Sequence, residues 1–194
     1  NHLAQKISRH LNDAAAVNPV NLVALVLLST NRLAMDAPSL ARTLDLFLAL
    51  LRQLPYSPHT TLPEGDGRGL VDYVRSMDLL AEQQDALGSI CYLNEKNAVL
   101  MTYYRNNVLH LFMLPAIIAS AVLHQRRISL TQLTAIVQQL YPLLRHELFL
   151  DISSPDTYSK AVLQHLVESG LVLQEGDDYC APPQHQNGFA MLSM

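Results

Sequence analysis

The chain has no tryptophan, only two cysteines, and an unusually small share of charge: 15% of its 194 residues are Asp, Glu, Lys or Arg. Each shortage excludes something. Cys91 and Cys180 form no CxxC pair and no Cys/His spacing of the kind that holds zinc, so neither a disulfide framework nor a thiolate metal site is expected. They read as reduced cysteines on the cytosolic side. No metal or cofactor is expected. Net charge is −4 and there is no basic tail, which argues against nucleic acid as a partner. The chain opens at Asn1 within a helical pattern, without an initiator Met, signal peptide or transit peptide, and so reads as a piece of a longer protein. Long apolar runs are also short of what a membrane span needs. The longest, Val108 to Leu123, has 16 residues and is interrupted by His110, Pro115 and Ser120, whereas a span needs about 20. It reads as a buried helix or one lying in an interface plane.

What is abundant is apolar side chain, 49% of the total. That is high for a chain of this size and implies that part of its surface is covered by something else. The periodicities are mostly helical. His2–Ala16 places Leu3, Ile7 and Leu11 on one face. Asn18-Pro19 is an N-cap with proline in the first turn, and Val20–Leu28 is apolar on nearly every side. Asp36 caps a helix whose stripe is Leu40, Leu44, Phe47, Leu48 and Leu51. Leu54–Gly69 holds three prolines and three glycines and is expected to be irregular, followed by a short helix, Leu70–Met77. Ser89–Tyr92 and Ala98–Met101 read as a β-hairpin around the loop 93–97. A long helix is expected from about Thr102, bent at Pro115.

From Arg126 the pattern changes. Ile128-Ser129 opens a helix with Leu133, Ile136, Val137, Leu140, Leu144 and Leu148 at helical spacing, interrupted by Pro142; a second helix follows Ser153-Ser154-Pro155 with Tyr158, Val162, Leu166 and Val167 inward, and Gly170 ends it. Leu171–Leu173 and Tyr179-Cys180 flank a turn at Glu175–Asp178. The expected fold is mainly α: a multi-helix domain over 1–125 with a small β-hairpin near 89–101, plus a winged-helix-like C-terminal module over 126–194. A DNA-binding use of that module is disfavoured. Its second helix sets Lys160 against Asp156 and Glu168, and its turn holds Glu175, Asp177 and Asp178, the wrong sign for phosphates.

Several clusters invite chemistry. His146 to Asp151 has the His-x4-Asp spacing in which an aspartate orients a histidine general base. With eight histidines in the chain a chance match is unsurprising, and a His near a helix C-terminus is favoured by the dipole anyway. It reads as a decoy. His59, Glu64, Asp66 and Arg68 sit in the Pro/Gly segment, which reads equally as a functional loop and as a solvated one. His124, Arg126 and Arg127 follow the apolar helix, as a C-cap or as contacts to anionic lipid headgroups. No Ser/His/Asp order, P-loop or paired-carboxylate arrangement stands out. Most distinctive is the polar stretch Tyr103-Tyr104-Arg105-Asn106-Asn107-Val108-Leu109-His110 at the start of an apolar segment. On one continuous helix Tyr103, Asn106, Asn107 and His110 would share a face and Arg105 would point elsewhere.

Three stretches together resemble a known family: Ala16-Val17-Asn18-Pro19-Val20-Asn21-Leu22-Val23-Ala24-Leu25, Pro55-Tyr56-Ser57-Pro58-His59, and Met101-Thr102-Tyr103-Tyr104-Arg105-Asn106-Asn107-Val108-Leu109-His110. They are similar to the C-terminal region of the large bacterial membrane-associated glycerol-3-phosphate 1-O-acyltransferase, from about Ala14 to Ala181. The resemblance implies an enzyme that transfers an acyl group from acyl-CoA or acyl-carrier protein to the 1-hydroxyl of glycerol-3-phosphate. The product, lysophosphatidic acid, begins phospholipid synthesis, at the cytoplasmic face of the bacterial inner membrane. The family's catalytic His-x4-Asp and its phosphate-binding arginines lie N-terminal to this region, so no catalytic residue is assigned here. The expected partner is the catalytic domain of the same polypeptide, with peripheral membrane contact. Arg105, Asn106, Asn107 and His110 are candidates for binding substrate, against a structural hydrogen-bond network; Arg126 and Arg127 are candidates for headgroup contact. The alternative is a non-enzymatic helical module that binds or regulates a protein.

Overall fold

The computed structural model describes residues 2–85 and 88–182. Its elements are α1 (His2–Asp13), α2 (Pro19–Leu28), β1 (Ala34–Asp36), α3 (Ala37–Gln53), α4 (Gly67–Ser76), β2 (Ala81–Asp85), β3 (Gly88–Tyr92), α5 (Glu95–Asn106), α6 (Leu109–His124), β4 (Ile128–Ser129), α7 (Leu130–Leu148), α8 (Pro155–Glu168), β5 (Leu173–Glu175) and β6 (Asp178–Cys180). The chain is mostly helical with two small antiparallel sheets, in line with the mainly-α expectation. It divides by packing into two compact units, Ala14–Leu109 and Asn1–Asp13 with His110–Met194. The 125/126 boundary expected above marks a change of sequence pattern and stands as a reading of that pattern.

The first unit is built around α2. Seven of its ten residues are buried, because nothing on its circumference is charged. Asn18 caps it as expected: its side chain accepts from the Asn21 N–H, and the Asn21 side chain accepts from the Asn18 N–H, a reciprocal box that satisfies two end donors. Around α2 pack α3, α4 and α5, which contribute the fully buried Leu40, Leu44, Leu48, Leu51, Leu70 and Met101. Helices α3 and α4 touch through glycine. A Cβ on Gly67 would lie 1.9 Å from the Ala41 carbonyl oxygen, and the Gly67 N–H donates to Asp45 Oδ1 at 2.6 Å. Asp66 caps α4, which starts three residues earlier than the proline and glycine pattern indicates. The Pro/Gly segment is irregular, as expected. It is tied to the chain near Ala16, where Thr61 donates to the Ala15 carbonyl and accepts from Val17 N–H.

Two sequence expectations fail in this unit. Ser89–Tyr92 is a strand, but its partners are β1 and β2, in the order β1-β3-β2, with Ala81 opposite Tyr92 and Asp36 opposite Ile90. Ala98–Met101 is not a strand; it belongs to α5. The Asn94 side chain accepts from the Asn97 N–H and starts that helix, so a polar loop read as a hairpin turn is a helix cap. The long helix expected from Thr102 is also interrupted. It ends at Asn106, where the Asn107 and Val108 N–H groups turn back to the Tyr104 and Arg105 carbonyls in tight i→i−3 bonds, and α6 starts afresh at Leu109. Pro115 lies inside α6.

The second unit has its core in α6, α7 and α8, with Leu111, Leu114, Ile118, Val122, Leu133, Val137, Val162, Leu163 and Leu166 buried. Ile128-Ser129 forms the short strand β4, and Ser129 caps α7 in a box with Gln132. The sheet order is β4-β6-β5. Gly176 turns the β5–β6 hairpin at φ +65° and Gly170 ends α8 at φ +73°, both left-handed positions that favour glycine. Tyr141 ties the chain after α7: its hydroxyl donates to the Ile152 carbonyl at 3.1 Å and accepts from the Ile152 N–H at 3.0 Å. No single described helix is long and apolar enough to cross a membrane.

Candidate functional site

The polar stretch 103–110 does not form one face. Tyr103, Tyr104, Arg105 and Asn106 occupy the last turn of α5 in the first unit, and His110 lies in the first turn of α6 in the second. Arg105 donates through Nε and Nη2 to Asn106 Oδ1, at 3.2 and 3.0 Å, near the surface. Asn106 and Asn107 are exposed, Tyr103 is 65% exposed, and its ring meets that of Tyr104 edge-on at 5.9 Å. What fixes this turn is backbone. Asn21, 1% exposed, donates from Nδ2 to the Tyr104 carbonyl at 2.8 Å. Two of the three stretches that carry the family resemblance thus meet at a single buried amide. Sequence reading singled out the surface side chains and missed Asn21. The available signal was an Asn three residues after an N-cap in a helix otherwise wholly apolar.

His110 is buried in the second unit, with Nε2 3.1 Å from the Asn12 carbonyl. Burial pushes its pKa below the ordinary 6.5, while the Asn12 hydrogen bond and the Asp13 charge pull the other way. The ring is therefore neutral near pH 7, with Nε2 as the donor to Asn12.

The His146–Asp151 spacing runs across a helix end. His146 is in the last turn of α7, Phe149 takes a left-handed conformation at φ 55°, and Asp151 follows it. His146 lies 3.7 Å from Glu147 with its side chain 78% exposed, and Asp151 lies 3.9 Å from Arg145. So exposed an imidazole gains nothing from the desolvation and orientation that activate a general base.

Beside α7, the helix α1 closes two open clefts in the same unit. One, of about 340 Å³, is lined by Lys6, Arg9, His10, Asp13 and Asp151 among others. The other, of about 460 Å³, is lined by Arg9, Tyr141, Arg145, His146 and Phe149 among others. The first mixes cations with carboxylates; the second carries Arg9 and Arg145 with no carboxylate in its lining.

Arg126 and Arg127 follow α6 at the surface. Arg126 has φ 55°; Arg127 is ion-paired with Glu175, an exposed pair that contributes little to stability. Of the loop residues, His59, Glu64 and Arg68 are exposed, and Asp66 is the cap of α4. Cys91 is fully buried and Cys180 half-buried, both as free thiols. Burial, aided by the Glu82 charge, pushes the Cys91 thiol up to about 11, which makes it inert. Among the described residues no three His, Cys, Asp or Glu side chains are grouped closely enough to hold a metal ion.

Comparison with known proteins gives these features a context. A family model described as the glycerol-3-phosphate acyltransferase C-terminal region matches residues 1–194. A glycerol-3-phosphate acyltransferase of Ectopseudomonas mendocina (strain ymp) is 55% identical over 196 residues, covering 100% of this chain and 24% of that protein. Proteins of the same name from Pseudomonas putida (strain KT2440) and Pseudomonas paraeruginosa (strain PA7) are each 57% identical, covering 99% of this chain and 23% of theirs. The chain thus spans about a quarter of the length of these relatives, and it belongs to the family of glycerol-3-phosphate acyltransferase C-terminal regions.

Proposed function

We propose that this chain is the non-catalytic C-terminal part of an enzyme that acylates the 1-hydroxyl of glycerol-3-phosphate, taking the acyl group from acyl-CoA or acyl-carrier protein and giving lysophosphatidic acid. The observation that carries the reading is the continuous family match over residues 1–194 at about a quarter of the relatives' length. The exposure of His146 supports its non-catalytic side. In this reading the general base and the family's phosphate-binding arginines come from the polypeptide preceding Asn1, and this region holds that part in its working shape and adds a further substrate contact at its own surface.

Arg105, Asn106 and Asn107 sit at the surface end of α5, anchored from behind by Asn21. Their part is to meet the substrate phosphate or the acyl donor from outside the first unit, as a guanidinium does well. His110, turned to the Asn12 carbonyl, has a structural part. Peripheral attachment to the cytoplasmic face of the inner membrane, with Arg126 and Arg127 near anionic headgroups, belongs to the same reading, favoured by the exposure of both side chains. The order strand, helix, helix, hairpin over 128–180 supports a winged-helix-like module used as structure, since its hairpin carries acidic side chains.

The test is acyl transfer by the full-length enzyme. Labelled glycerol-3-phosphate and palmitoyl-CoA should give lysophosphatidic acid; removal of the region matching 1–194 should abolish turnover, and co-expression of the two pieces should restore a part of it. Full activity in the truncated protein, or no acylation by the intact one, overturns the proposal.

A further inference from the structure

Helix α1 is amphipathic, and it is packed the wrong way round. Leu3, Ile7 and Leu11 recur at four-residue spacing and form one stripe. They are 70%, 51% and 69% exposed, and no residue of α1 is buried. The opposite side is the one that meets the rest of its unit. Asn12 donates from Nδ2 to the Leu148 carbonyl at 2.7 Å, its own carbonyl takes the His110 Nε2 contact, and Ser8, Arg9 and Asp13 are half-buried there. A surface helix ordinarily turns its apolar stripe to the core and its polar side to water. Here the polar side is inward, and among the described residues nothing covers the stripe.

We propose that Leu3, Ile7 and Leu11 form a docking strip for the polypeptide that precedes this region in the intact protein. The inference rests on the proposed reading of the chain as the C-terminal part of a longer enzyme. Two observations select that occupant. The relatives are about four times as long as this chain, which matches their C-terminal region, so their remaining length enters next to α1. A segment tethered within a few residues of its docking face meets it at millimolar effective concentration, so a strip of only three aliphatic side chains suffices. A lipid surface fits less well. The strip is ~12 Å long at 1.5 Å per residue, has no aromatic residue, and is flanked by a single lysine, Lys6. Interfacial helices use larger apolar faces with aromatic residues and a strongly basic polar side.

The experiment places a photo-crosslinking benzoyl-phenylalanine at Ile7 in the full-length protein, with a second variant carrying it at Gln164, an exposed position on α8. Both are irradiated in vesicles of phosphatidylethanolamine and phosphatidylglycerol, and the adducts are identified by peptide mass spectrometry. The expected result is an intramolecular crosslink from Ile7 to peptides preceding Asn1, at a yield at least fivefold above that from Gln164. Adducts mainly to phospholipid, crosslinks mainly between two copies, or a yield no higher than at Gln164 each overturn the proposal. The readout is a covalent map, independent of acyl transfer. A lipid adduct in a protein that still acylates glycerol-3-phosphate therefore removes this inference alone; a protein that crosslinks as expected but does not acylate removes the proposed function alone.

Discussion

Asn21 offers the sharpest test of how the first unit is held. Its Oδ1 accepts from the Asn18 N–H at 2.9 Å and its Nδ2 donates to the Tyr104 carbonyl at 2.8 Å, in a site 1% exposed. Asn21→Leu removes both bonds and keeps the branched shape, with bulkier methyl groups. Asn18 is exposed, so its N–H can find water, and the Tyr104 carbonyl keeps the Asn107 N–H at 3.3 Å. Neither partner is left orphaned, and the loss should be about 2 kcal/mol, near 1 per bond. Asn21→Asp is the informative companion. It keeps the acceptor but sets a carboxylate oxygen against the Tyr104 carbonyl in a buried site. The cost should reach about 3–4 kcal/mol at pH 7, offset by less than about 1 from the N-terminal dipole of α2. Its folded-state carboxyl pKa must then be raised. Stability of the Asp variant should be nearest wild type below the unfolded carboxyl pKa of about 3.9 and should fall as pH rises through the folded value. The Leu variant should show no such dependence relative to wild type. Urea unfolding followed by hydrogen exchange in residues 14–109 measures both. An Asp variant within about 0.5 kcal/mol of wild type at pH 7 would refute the buried-donor assignment.

Gly67→Ala should destabilise the α3–α4 contact by about 2–3 kcal/mol, because the clash is with a backbone carbonyl and overpacking of this kind cannot relax cheaply; an unchanged thermal midpoint would contradict it. His110 has a lowered folded pKa, so its contribution is full above about 6.5 and is lost as pH falls toward the folded value. His110→Asn should flatten the acid limb of the stability profile below about pH 6.5, which a pH series of urea midpoints checks. Alkylation of Cys91 should follow unfolding of its unit, rising with urea in step with hydrogen exchange, and reaction at the native rate of an exposed thiol would refute its inert setting. Arg105→Lys in the intact enzyme should raise the Michaelis constant for glycerol-3-phosphate or the acyl donor at unchanged melting temperature, since Arg105 bonds only to its neighbour Asn106 among its described side-chain hydrogen bonds; lost stability with unchanged constants would assign it to the scaffold.

The helices were legible where composition speaks locally. Asn18-Pro19, Asp36 with Pro38, and Gly170 mark their ends by capping chemistry that needs no tertiary partner. The failures have a common physical origin. Ala98–Met101 carries the β-branched Val99 in a short apolar run, and only the Asn94 cap, three residues ahead of the Asn97 N–H, decides for helix. The partner of Ser89–Tyr92 is the polar run Ala81–Asp85, whose Glu and Gln residues give no strand signal; pairing with β3 imposes that conformation. The break at Asn107–Val108 is likewise invisible to periodicity, because both flanking segments are helical and a tight turn of backbone bonds separates them. As for the candidate site, the wording 103–110 was legible as distinctive. That its backbone is held by Asn21, some 80 positions earlier, depends on a packing that no local pattern encodes.

The central claim is that these 194 residues complete an acyltransferase without performing its chemistry, and the measurement closest to it is turnover of the full-length enzyme carrying His146→Ala. His146 is the one histidine here with the spacing of a general base, and its side chain is 78% exposed at the end of α7. The account predicts a kcat for glycerol-3-phosphate acylation within about twofold of wild type, since a general base contributes about 100-fold or more when it is truly engaged. A fall of 100-fold or more in a variant that melts at the wild-type temperature would contradict it and place the chemistry in this region.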